Sequence, residues 1–581
     1  MTKLYNGPEN QRSHLLQEEG NLISESASAS HNATIWDLPT IPKGSLSNRY
    51  YRNFVLFVIL FCIVHAAVDA VLAFSTAELG MDLGSNGSFC LYFFYTLCSF
   101  CFAKPALAFY GPKNTVAIGL AGMLIYVLAF FLAVAVAPES PLRAIFWLIG
   151  ASLGGIGAGL LWTGQGAYFT TNANEYTNAL ERERLESSGG RDHHDQTALA
   201  GASTSSATLA TFASIFAMGY LLLETILKMA ATGVYLAQGK GETGSLAWKR
   251  AIFGLYTVVA FIALIAYILY IVNFKPNGRT SIDTKVEIPT VQLKASEDDE
   301  GTVEMNQLHA AVISARPLST LPNDATGDYI SEPRAGIKGL YDAVLRQYCA
   351  VGEAIWASRR LRLLLPFQVM FGFISGFLNA YINARYVAIY LGDGYIGFLS
   401  AISTIIAAIV SYIYAKISIR FEHGMYYVML VGALSFFYGG LSVWLTSDTT
   451  IGTWNFLGLY FFVFGFGRGA WESTNKVVVA AFFKHDNQLR DASFATIYFT
   501  SGLAGAIAYL GFHRMNKGAL VAINTFVPAI ALLCFHLSYD DYAHELLLQR
   551  IALAEREEKM ASKTDDKIEP TMQTATVDLD M

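Results

Sequence analysis

The stretch "GGIGAGLLWTGQGAYFTTNANE" (Gly154–Glu175) has a counterpart in "VFGFGRGAWESTNK" (Val463–Lys476). Gly155, Gly157 and Gly159 of the first stand 310 positions before Gly465, Gly467 and Gly469 of the second. In both, glycines inside an apolar run are followed by polar and aromatic side chains. Glycines four apart lie on one helix face and let two backbones approach, which in lipid supplies association that hydrophobicity alone does not. Gly155 with Gly159, and Gly465 with Gly469, are therefore read as helix-packing pairs. A phosphate-cradling loop needs a strand before its glycines and a helix start after them, and neither flanks these runs.

Working outward, Ala103-Lys104 returns as Ala415-Lys416 at an offset of 312. Apolar runs of about 20 residues, the length that crosses hydrocarbon, occur at 54–74, 87–110, 115–137, 142–168, 206–230 and 251–273, then at 363–390, 394–417, 425–446, 454–479, 492–512 and 518–538. Of the 581 residues 53% are hydrophobic and 15% charged, and the mean hydropathy is +0.38. Soluble proteins carry about 25% charge, so the lipid bilayer is this chain's solvent. The expected fold class is an all-α polytopic membrane protein of 12 transmembrane helices in two six-helix pseudo-repeats. Parallel six-helix repeats related by an axis along the membrane normal are the major facilitator arrangement.

The expected organisation is an N-terminal tail over 1–52, a first half over 53–273, a polar linker over 274–360 with one short helix near 340–356, a second half over 361–540 and a tail over 541–581. Lys and Arg concentrate in the even-numbered connections, which by the positive-inside rule puts both termini in the cytoplasm; Lys240 to Arg250, Arg514 and Lys517 go against that bias. About fifty polar residues precede the first apolar run, so no cleavable signal peptide is expected. The net charge of −6 sits mainly in tails and loops, and no basic run points to nucleic acid. Five of the six cysteines fall in or beside apolar segments, and Cys98 with Cys101 lacks nearby His or acidic partners, so neither a disulfide framework nor a metal site is expected.

Polar groups within spans are expensive unless they find partners or face a wet interior. They fall on spans one, four, seven and ten, which line the central cavity of the major facilitator fold. Substrate-cavity candidates are Trp162, Gln165, Tyr168, Asn379, Asn383, Trp471 and Asn475. Coupling candidates are His65 with Asp69, an acid/base pair at i,i+4, and Arg468 with Glu472. Each has a plainer reading: Arg468 and Glu472 neutralise one another, Lys476 snorkels to the interface, His65 with Asp69 is a structural pair, and the asparagines join helices. Glu224 is placed toward the non-cytoplasmic end of span five, against headgroups.

"GAGLLWTGQGAYFT" (Gly157–Thr170) and "KPALAFYGPKNTVAIGLAGMLIY" (Lys104–Tyr126) resemble the most recognisable stretches of the UNC-93-like proteins, a branch of the major facilitator superfamily. The long polar tails and linker are similar to those of fungal-type members. The resemblance implies the major facilitator fold, and regulation of potassium channels or escort of membrane receptors as family roles. The Gly-Pro-Lys after span two departs from the acidic and double-basic loop of conventional sugar or drug facilitators.

Smaller signals are an Asn86-Gly-Ser88 sequon too near the bilayer for use, a tail sequon at Asn32, an acidic dileucine pattern at Glu18 with Leu22-Ile23, a solvated His193-His194 pair, and an amphipathic His544–Met560 stretch that lies along the membrane or extends span twelve. No nucleophile with a base, metal spacing or phosphate loop suggests an enzyme or a cofactor. The first functional expectation is a secondary transporter of a small solute or ion, with Asp69 or Glu472 as its proton-sensitive group. The alternative is a non-transporting regulator or trafficking partner of another membrane protein such as an ion channel.

Overall fold

A helix that starts at a Ser cap and stops at a glycine with positive φ opens each of the two halves. The computed structural model describes residues 45–187, 197–238, 242–273, 337–483 and 487–572. Helix α1 (Leu46–Leu79) begins where Ser45 Oγ accepts the Asn48 N–H and ends at Gly80, φ +83°. Helix α8 (Arg359–Phe377) begins where Ser358 Oγ accepts the Leu361 N–H, continues as π-helical turns over Leu378–Leu391, and ends at Gly392, φ +108°. Left-handed backbone at these turns favours glycine.

The first half continues with α2 (Met81–Cys101), α3 (Ala103–Ala135), α4 (Pro141–Ser187), α5 (Thr197–Gln238) and α6 (Glu242–Tyr270). Helix α7 (Ile337–Ala357) lies in the linker region. After α8 come α9 (Tyr395–Arg420), α10 (Gly424–Leu445), the short α11 (Asp448–Ile451), α12 (Trp454–Ala470, prolonged by a π-helical turn at Trp471–Asn475 and by Lys476–Phe482), α13 (Asn487–Gly511) and α14 (Lys517–Met572). The tail signals at Glu18 and Asn32, the His193-His194 pair and linker residues 274–336 lie outside the described residues.

Among the described residues ten helices are long and apolar enough to cross a membrane. The other two rods of the bundle are α2, whose first turns carry Asp82, Ser85, Asn86 and Ser88, and α12, whose regular part stops after 17 residues at its wide turn. One boundary differs from expectation. The apolar run 87–110 is not one helix: α2 stops at Cys101, and the chain bends at Gly111, φ +75°, before Pro112. Proline lacks an N–H and crowds the preceding turn, so Gly-Pro kinks α3 just past that run. The Asn86 sequon lies within α2, with Ser88 buried against Ser75 at 3.2 Å.

The repeated glycines make the same crossings in each half. A Cβ on Gly155 would stand 2.4 Å from Leu91 O, and one on Gly159 2.7 Å from Ser99 N, both on α2. One on Gly465 would stand 2.7 Å from Ser403 O, and one on Gly469 2.4 Å from Val410, both on α9. Gly157 faces α3 at Gly119 and Gly122, while Gly467 faces α10 at Phe436. Each half's fourth helix is thus wedged between its second and third. The halves meet where α2 packs on α13, α5 on α9, and α1 on the π-helical end of α8. Ile59, Ile149, Ile226, Phe261 and Ile409 remain exposed around the outside, as lipid contact requires.

Candidate functional site

Between the halves is a hollow of about 200 Å³ whose lining comes from α1, α4, α8 and α12 together with α2, α3, α5, α9 and α13. His65, Asp69, Trp162, Asn379, Arg468, Trp471, Glu472 and Lys476 all reach it. An engineered protein cavity of about 150 Å³ holds benzene, so the space is on the scale of a small solute.

Its centre is an ion-pair network that crosses from one half to the other. Arg468 on α12 donates two hydrogen bonds to Glu224 on α5, Nη1 to Oε1 at 2.7 Å and Nη2 to Oε2 at 2.5 Å. The same Nη2 donates to Tyr220 Oη at 3.2 Å and lies 3.6 Å from Asp69 Oδ2. Tyr220 Oη donates to Asp69 Oδ2 at 2.6 Å. Lys228 Nζ, one turn beyond Glu224, donates to Glu224 Oε1 at 2.6 Å. Glu224 is fully buried, and Arg468 and Lys228 both pair with its carboxyl group.

His65 packs edge-on against Trp162 and Tyr220, both at 5.0 Å between ring centroids, with Nδ1 3.5 Å from Asp69 Oδ2. That nitrogen makes no hydrogen bond among the described residues. Farther along α12, Lys476 Nζ is 3.6 Å from Glu472 Oε2 and 5.7 Å from the Trp162 ring centroid. Trp471 stacks on Phe371 at 3.9 Å. The α12 turn carrying Trp471 and Glu472 is π-helical, a local widening with i→i+5 bonds frequent at functional sites.

Four candidates stand elsewhere. Tyr168 is fully buried, accepting from Asn53 Nδ2 at 2.8 Å and donating to Val272 O at 2.9 Å. Asn475 exchanges hydrogen bonds with Gln368 at 3.1 and 3.3 Å. Asn383 donates to Asn379 Oδ1 at 3.3 Å and to Ala73 O at 3.2 Å, the latter exactly one repeat offset of 310 away. Gln165 is half-buried on α4 and does not line the hollow. Two readings change. Arg468 is neutralised across the halves by Glu224, not by Glu472 on its own helix. Glu224 belongs to the interior rather than to headgroups, because α5 extends beyond 230 to Gln238. Tyr220, Glu224 and Lys228, four apart on one face, are the signal in the sequence that marks α5 as part of the site.

At the end of the bundle where α1 stops, the halves close on one another. Lys249 Nζ lies 2.6 Å from Glu78 Oε2 and 3.3 Å from Asp393 Oδ2, joining α6 and α1 of the first half to the turn after α8. Thr232 Oγ1 donates to Gly394 O at 2.8 Å and Thr76 Oγ1 to Asn379 O at 2.6 Å. At the opposite end α7 packs against α2 and α13, with Cys101 Sγ 3.1 Å from Tyr348 Oη.

The family model "Ion channel regulatory protein UNC-93" matches residues 81–183, which hold both quoted motifs. No curated protein matches the sequence. Among solved structures, the xylose transporter XylE from E. coli in its inward open conformation is 12% identical, with a TM-score of 0.45, over 85% of this chain and 95% of that one. The nucleoside transporter NupG is 13% identical, with a TM-score of 0.48, over 84% and 99%. A structure of proton dependent oligopeptide transporters is 12% identical, with a TM-score of 0.46, over 86% and 98%.

Proposed function

We propose that this chain, an UNC-93-like protein with the major facilitator arrangement of helices, is a secondary transporter that carries a small solute or ion by alternating access, with both termini cytoplasmic. The observation that carries the reading is the Arg468–Glu224 fork, an ion pair between the halves inside a solute-sized hollow. Rocking one half against the other requires that fork to part. Parting a buried pair with nothing in exchange costs about 3–5 kcal/mol. A proton on Glu224 or Asp69, or a charged group of the solute, removes that cost by giving each freed charge a partner. Asp69 with His65 is the proton-sensitive pair of this scheme, since Asp69 touches Arg468, Tyr220 and His65 at once.

The test is solute-driven proton flux, or proton-driven uptake, in proteoliposomes over a broad solute panel. Asp69→Asn and Glu224→Gln are expected to uncouple flux from the pH gradient. Unchanged coupling in both variants overturns the assignment.

A second reading is a non-transporting regulator or escort of another membrane protein such as an ion channel, favoured by the family model over residues 81–183. Stable co-purification with one channel, with no flux for any solute, selects it.

A further inference from the structure

The six charged side chains of the hollow fall into two groups. Asp69, Glu224, Lys228 and Arg468 are joined by hydrogen bonds directly or through Tyr220, and Glu224 is sealed from solvent. Glu472 and Lys476 are not. They form a looser ion pair with each other, Nζ to Oε2 at 3.6 Å, outside that tightly bonded group. They keep 15% and 34% of their side-chain surface open, and both line the hollow. In a regular α-helix residues i and i+4 face each other, but Glu472 starts in a π-helical turn whose bonds run i→i+5. The widened turn therefore leaves one carboxylate and one ammonium side by side, each with unused hydrogen-bonding capacity.

We infer that Glu472 and Lys476 form a receptor for a small zwitterion, its anionic group on Lys476 and its ammonium on Glu472, with Trp162 and Trp471 flanking it. Charge balance supports the class. Three carboxylates (Asp69, Glu224, Glu472) face three cations (Lys228, Arg468, Lys476), so with His65 neutral the hollow has no net charge. A singly charged solute leaves one unmatched charge in a buried space, which is strongly unfavourable, whereas a zwitterion satisfies both open groups and preserves neutrality. Aromatic rings beside the pair suit an ammonium or quaternary ammonium group. The inference rests on the reading of the hollow as a solute chamber.

The experiment uses the purified full chain in lipid nanodiscs, with binding followed by calorimetry and thermal shift. The probes are the protein amino acids, glycine betaine and 4-aminobutyrate, with 4-methylpentanoate and 3-methylbutylamine as leucine lacking its ammonium and its carboxylate. At least one zwitterion is expected to bind at millimolar concentration and the two single-charge analogues not to. Lys476→Gln and Glu472→Gln are each expected to weaken that zwitterion by about tenfold or more, and Lys476→Arg to retain it, which separates lost charge from lost fold. Binding by an analogue as tight as by any zwitterion, binding insensitive to both Gln variants, or no zwitterion binding at all overturns the inference. Zwitterion binding without flux removes the transporter reading and leaves the receptor; flux of a singly charged solute with no zwitterion binding does the reverse.

Discussion

Arg468 and Glu224, 244 positions apart, meet through two hydrogen bonds at 2.7 and 2.5 Å and tie the second half of the bundle to the first. Lys228 leans on the same carboxylate. Arg468→Met leaves Asp69 short of a cation and costs about 3–5 kcal/mol, as loss of one partner from a buried pair does. Glu224→Gln strands two cations instead. Thermal unfolding in detergent is expected to show each single variant strongly destabilised and the double variant less so than the sum; strict additivity contradicts a direct pair.

Lys249 is the cation paired with the carboxylate of Glu78, which is buried, while Asp393 is partly open to solvent. Lys249→Met is therefore expected to destabilise more than Asp393→Asn. Adding Glu78→Gln to Lys249→Met recovers part of the loss, since the stranded charge is gone. Equal effects of the two single variants, read as melting temperatures, contradict the ranking.

The glycine crossings separate by position. A Cβ at Gly159 or Gly465 meets backbone or branched side chain at 2.7 Å, whereas one at Gly166 meets nothing within 4 Å. Gly159→Ala and Gly465→Ala are expected to cost about 1–3 kcal/mol, the usual penalty of overpacking. Gly166→Ala on the same α4 is the tolerated control. Expression and melting temperature of the three variants check the order.

Asp448 lies in α11, in the loop between α10 and α12, where Lys517 Nζ approaches its Oδ1 at 2.5 Å and Tyr386 donates to the same oxygen at 3.0 Å. The hydrogen bond from Lys517, with that from Tyr386, holds this carboxyl below the ordinary carboxylate range. A depressed carboxyl contributes stability above its unfolded value, near about pH 3.9, and loses it as pH falls through the folded value. The pair is half-exposed, so the contribution is at most about 1 kcal/mol. Asp448→Asn is expected to lower the melting temperature slightly at pH 7 and not at all in strong acid.

The repeat was legible because glycine crossings, unlike lipid-facing positions, admit no substitute, and Gly155/Gly159 and Gly465/Gly469 carry it. The polar residues of α1 and α12 were legible because charge inside an apolar run is conspicuous. What escaped was depth and rotation. Glu224 stands at the centre of the apolar span Thr211–Ala237, yet an estimate ending at 230 puts it near an edge. Asn475 closes the wide turn of α12, whose i→i+5 geometry departs from regular helical spacing, so that spacing aims it at the hollow while its amide bonds Gln368. The cations that break the charge bias also have a physical account: Lys249 and Lys517 each sit beside a carboxylate at their end of the bundle.

The interior charges are unevenly shared between the halves. Asp69, Glu224 and Lys228 give the first half a surplus of one negative charge, and Arg468, Glu472 and Lys476 give the second a surplus of one positive. The first six helices precede the rest in the chain, so Arg468, the cation that bridges Glu224 and Asp69, is supplied only by the later half. The balance of charge in the hollow is thus a property of neither half alone and exists only where α5 and α12 meet.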